Sequence, residues 1–81
     1  MAFQISGHGS REGVIKNCIE PAKAGPGEKA DQTQIESVKK LLIAEIEAMP
    51  AEFNGVRVEA QGDASHARTI SITIIPQKLH L

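Results

Sequence analysis

Thr33-Gln34-Ile35-Glu36-Ser37-Val38-Lys39-Lys40-Leu41-Leu42-Ile43-Ala44-Glu45-Ile46-Glu47-Ala48-Met49 is the stretch that decides the fold. Its apolar residues Ile35, Val38, Leu42, Ile46 and Met49 step by three or four, which places them on one stripe of an α-helix. Gln34, Glu36, Lys39, Lys40 and Glu47 lie elsewhere on the cylinder. Thr33 followed three residues later by Glu36 has the form of a capping box, in which each side chain satisfies a backbone N–H at a helix start. The spacing predicts a helix from Thr33 to about Met49, with Leu41 and Ile43 widening the stripe and Glu36 pairing with Lys40. Pro50 and Asn54-Gly55 supply the stop. A helix with one apolar face needs an apolar layer beneath it.

Beyond Gly55 the hydrophobic period shortens to two. Val56, Val58 and Ala60 alternate with Arg57, Glu59 and Gln61, and Ile70, Ile72 and Ile74 alternate with Thr69, Ser71 and Thr73. Both runs read as strands, joined through the turn-like Gly62-Asp63-Ala64-Ser65, and Pro76 is expected to end the second. Met1, Phe3 and Ile5 alternate with Ala2, Gln4 and Ser6, giving an opening strand. The predicted fold class is α+β, in the order β-α-β-β, with the helix packed on a small, mostly antiparallel sheet of three strands. A fourth strand arises if Val14-Ile15-Lys16-Asn17-Cys18-Ile19 returns as a strand rather than as a helical turn. A right-handed crossover from the first strand to strand 55–61 predicts the spatial order first, last, middle, with the Ile-rich strand 66–75 in the centre. The chain is expected to form a single domain over residues 1–81, with an exposed Pro- and Gly-rich loop at about 20–32.

Composition narrows the function classes. A chain of 81 residues and 8.7 kDa buries only roughly 60 to 65% of its unfolded surface, so its core is thin and no second, catalytic domain fits. A net charge of -1 with 41% hydrophobic residues argues against disorder. Nine Lys and Arg against ten Asp and Glu, with two Phe and no Tyr or Trp, provide neither a basic patch nor stacking platforms, so no nucleic-acid partner is expected. The longest apolar run falls far short of the ~20 residues that span a bilayer, and residues 1–8 lack a charged segment leading into an apolar one. No membrane association is expected. The single Cys18 forms no internal disulfide, which fits a cytoplasmic location, and small domains without such staples often gain burial by oligomerising.

The densest polar cluster is Gly7-His8-Gly9-Ser10-Arg11-Glu12-Gly13, directly after the opening strand. Two readings compete. In the plain one it is a Gly-rich turn with a solvent-facing His and Arg. In the functional one it binds a small ligand or a metal through His8, Ser10 and Arg11, joined by His66 if the first and last strands are neighbours. No Cys-x-x-Cys or His-x-x-x-His spacing is present, so no metal site and no cofactor are assigned. Cys18 reads as a small core residue beside Ile15 and Ile19. Asp63, Ser65 and His66 contain the letters of a hydrolytic triad but lie within one turn, where Asp and Ser are better read as turn formers. No catalytic residue is assigned, and the chain is read as a non-enzyme.

The second sheet face would carry Arg57, Glu59, Gln61, Thr69, Ser71, Thr73 and Ile75 with no second helix to cover it. That face meets water or another subunit. A homo-oligomer, with a dimer favoured, is the expected partner state, and a different protein partner is the other option.

His8-Gly9-Ser10-Arg11 after an apolar strand resembles the first-strand motif of the small cobalt and nickel chelatases that insert metal into tetrapyrroles, in which the matching His is a metal ligand. The likeness covers about eight residues. It implies a doubly wound parallel sheet and a long helix directly after the motif, whereas here a Pro and Gly loop follows. Phe3-Gln4-Ile5-Ser6-Gly7-His8, one amphipathic helix and a closing β-region resemble small, functionally uncharacterised proteins of bacteriophages and prophages. That likeness spans most of the chain in pattern and implies an accessory or assembly protein without catalytic residues.

Overall fold

The computed structural model describes residues 2–23, 29–63 and 70–80. Strand β1 (Ala2–Ser10) leads into a short helix α1 (Arg11–Val14) and one π-helical turn (Ile15–Ile19). The long helix α2 (Lys29–Glu47) follows, then strands β2 (Gly55–Asp63) and β3 (Ser71–Gln77). The fold is α+β, as the periodicities predict.

The order of the strands is not the predicted one. β2 lies in the centre, paired antiparallel with both β1 and β3, and β3 is an edge. The reason is the segment after β1. From Arg11 the chain doubles back along β1, bringing Cys18 against Gly7, and α2 then returns in the direction of β1. Gln34 at one end of α2 lies near Phe3 and Gly62, and Ile46 at the other end meets Arg11. One connecting helix would deliver β2 parallel to β1; two helical segments of opposite direction deliver it antiparallel, so no crossover is required. The doubly wound parallel sheet implied by the chelatase motif is therefore absent from the described residues.

The helical reading of residues 14–19 holds, in an unusual form. Val14 and Ile19, five positions apart, are each at most 1% exposed. An i→i+5 turn, sealed by Glu20 N–H donating to the Ile15 carbonyl at 2.9 Å, brings both onto one face. Gly7 makes this packing possible: a Cβ there would collide with Cys18 Sγ and lie 2.8 Å from its Cβ. Cys18 is half-buried and packs against the core, as expected.

Several boundaries move. α2 begins at Lys29, so Thr33 lies inside it and accepts at its carbonyl from Ser37 Oγ rather than starting the helix; the loop at 20–32 is shorter than predicted. Glu36 lies 3.7 Å from Lys39 and accepts from Gln32, instead of pairing with Lys40. Ile35, Val38, Leu42 and Ile46 are buried and Ile43 and Met49 pack beside them, but Leu41 is 46% exposed. Gly7, His8 and Gly9 continue β1 instead of forming a loop, and Gly62 and Asp63 continue β2 opposite Phe3 and Ala2 instead of forming a turn. Pro76 lies inside β3, which an edge strand tolerates because one side of it has no ladder partner.

Phe3, Ile5, Val56, Val58 and Ala60 form the apolar floor beneath α1, the π-turn and α2, all at most 3% exposed. The floor is less complete on β3: Ile72 and Ile74 are half-buried and Ile70, just before the strand, is 38% exposed.

Candidate functional site

The C-terminus of α2 leaves its last carbonyls without intrahelical donors and concentrates partial negative charge there. Arg11, the first residue after β1, fills that place. Its Nη2 donates to the carbonyls of Ile46 and Glu47, and its Nη1 to those of Pro50 and Phe53 at 3.3 Å each. Lys39 does the reciprocal task, donating from Nζ to the carbonyls of Glu20 (2.7 Å) and Ala22 (2.9 Å) where the π-turn ends. Each helical segment thus closes the end of the other. Ser10 is also occupied, since its Oγ accepts from the Gly13 N–H at 3.1 Å as the N-cap of α1.

Around these caps lies an open cleft of about 610 Å³, lined by Ser10, Arg11, Glu12, Ile15, Ile46, Glu47, Ala51, Phe53 and Asn54. The predicted pair Ser10 and Arg11 is therefore together at one cleft. His8 is not with them: it is exposed on the opposite sheet face, in register with Arg57. His66 and Ser65 lie outside the described residues, and the condition for His8 and His66 to converge, neighbouring first and last strands, is not met because β2 separates β1 from β3.

The ionisable side chains among the cleft's lining residues are Arg11, Glu12 and Glu47. Two exposed carboxylates, Glu12 and Glu47, flank a guanidinium already spent on carbonyls. No group of three or more His, Cys, Asp or Glu able to hold a metal occurs among the described residues, and no helix there is long and apolar enough to cross a membrane. No protein-family model, curated protein or solved structure matches the chain.

The wall opposite Arg11 escaped the sequence reading. Asn54, read there only as a helix stop, donates from Nδ2 to the Leu79 carbonyl at 3.0 Å and accepts from the Leu79 N–H at 2.6 Å, imitating a strand partner. Lys78 reinforces the clamp, 3.2 Å from Glu52 and 5.7 Å above the Phe53 ring. The one available signal was Asn54 beside Gly55, and it does not name its partner 25 residues away.

The other sheet face is polar and exposed. Rows of opposed residues cross it: His8, Arg57, Ile75; Ser6, Glu59, Thr73; Gln4, Gln61, Ser71. Arg57 and Glu59 form an exposed pair at 3.5 Å, and Ile75 is 46% exposed.

Proposed function

We propose that this chain is a small, non-enzymatic interaction and assembly module that works as a homo-oligomer, in its simplest form a dimer. The observation that carries the reading is the unfinished apolar floor at β3, where Ile72 and Ile74 stay half-buried beside an exposed Ile70. A thin core gains most where such a margin is covered. The use of Arg11 and Ser10 as helix caps, both already engaged by backbone groups, agrees with a role outside catalysis. The likeness of the opening segment to small bacteriophage and prophage proteins points the same way, toward an accessory or assembly protein of the cytoplasm.

Gel filtration coupled to light scattering across micromolar concentrations tests this. A mass of two or more chains is expected; a strict monomer throughout overturns it. The cleft supports a second reading, a small-ligand site at the part of the Gly7–Gly13 segment that lines it, Ser10, Arg11 and Glu12. Calorimetric titration with inorganic phosphate, and separately with zinc, cobalt and nickel, gives no heat on the first reading. Heat abolished by Arg11→Lys or Ser10→Ala supports the second.

A further inference from the structure

We propose that the open edge of β3 pairs with the same edge of a second copy of this chain, antiparallel and centred on Thr73, so that two three-stranded sheets become one of six strands. This rests on the reading of the protein as a self-associating module and names its surface.

The sheet has two edges, and they differ. Beneath β1 the floor is closed, with Phe3 and Ile5 at 3% and 1% exposure. Beneath β3 it is open. Edge strands are ordinarily blunted by charge or by proline; Ser71-Ile72-Thr73-Ile74-Ile75-Pro76-Gln77 carries no charge, and its one proline, Pro76, lies next to its end. A second copy therefore meets no like charge and desolvates no ion, and a neutral strand is complementary to itself.

The register follows from geometry. Directly opposed residues in an antiparallel pair share a face, so the two-fold axis passes through a residue and not between residues. Pro76 has no N–H and suits the row of backbone groups that points away from β2. Alternation places Ile72 and Ile74 in that same row. With the axis at Thr73, Ile72 lies opposite Ile74 of the second copy, and each such pair exchanges N–H···O bonds in both directions. Their side chains meet on the floor side, while Ser71 meets Ile75 on the polar side. An axis at Ile74 instead sets Ile72 against Pro76 and loses donors.

The test is a cross-link in a Cys18→Ser background. Non-hydrogen-bonded opposed residues stand about 4.5 Å apart at Cα, within disulfide range, so Thr73→Cys is expected to form covalent dimers on mild oxidation. Gln4→Cys, at the β1 edge, is expected to stay monomeric under the same conditions. In the otherwise wild-type chain, Ile74→Lys weakens self-association at least about tenfold and Leu41→Lys leaves it unchanged. If the wild type is a dimer but Gln4→Cys cross-links as fast as Thr73→Cys, or Ile74→Lys associates as tightly as wild type, the β3 edge is overturned and the assembly reading stands. If the wild type is a monomer at every concentration, both fall.

Discussion

Arg11 and Ile46, 35 positions apart, are joined by a guanidinium donating to the last buried carbonyl of α2. The contact ties the end of β1 to the end of the long helix, and so fixes the direction in which α2 runs over the sheet. It also explains why the most reactive-looking cluster in the sequence carries a structural load. A cation at a helix C-terminus meets both the orphan carbonyls and the macrodipole.

Arg11→Lys keeps the charge and loses the fork that reaches several carbonyls at once. Its expected destabilisation is about 1.5–3 kcal/mol, the range for hydrogen bonds to charged groups, read by urea unfolding. Unchanged stability would show that the cap is ornamental.

Gly7 faces Cys18 with no room for a side chain. Gly7→Ala is expected to destabilise by about 1–3 kcal/mol through overpacking. Cys18→Ala is expected to restore part of that, giving a coupling of about 0.5 kcal/mol or more in a double-mutant cycle. Strict additivity would mean that the π-turn does not sit on β1 as described.

Asn54→Ala removes both hydrogen bonds that hold Leu79. Because the tail is solvated once released, the loss is about 1 kcal/mol, and the Leu79 amide exchanges with solvent much faster while amides in the centre of β2 keep their rates. Equal Leu79 exchange in the variant and the wild type would refute the clamp.

These contacts also mark where the sequence was legible. Ile35, Val38, Leu42 and Ile46 announced α2 because a stripe at helical spacing has one geometric meaning, and Val56, Val58 and Ala60 announced β2 in the same way. Strand order was not legible, because it turned on Val14 and Ile19, whose spacing of five fits neither helix nor strand until the backbone widens into a π-turn. Thr33 and Glu36 matched a capping box, but the same letters occur inside a helix, and α2 starts one turn earlier. Pro76 read as a strand stop because the sequence does not say which strand is the edge. At the cleft, Ser10 and Arg11 were visible as polar residues; that they serve backbone groups of Gly13 and Ile46 depends on tertiary placement.

Leu41 and Ile74 separate two kinds of apolar exposure. Leu41, 46% exposed on α2, is a single residue of the sort every surface carries, whereas Ile74 adjoins Ile72 along an uncharged edge. In the wild type, Leu41→Glu is expected to leave thermal stability within about 0.5 kcal/mol. A larger loss would place Leu41 in a buried contact.

Hydrogen exchange at the amides of Ile72 and Ile74, followed as the protein is diluted, distinguishes a paired β3 edge from an open one. Pairing with a second copy predicts slow exchange at high concentration that accelerates on dilution, while amides shared between β1 and β2 keep their rates. Fast exchange at Ile72 and Ile74 at every concentration would contradict it.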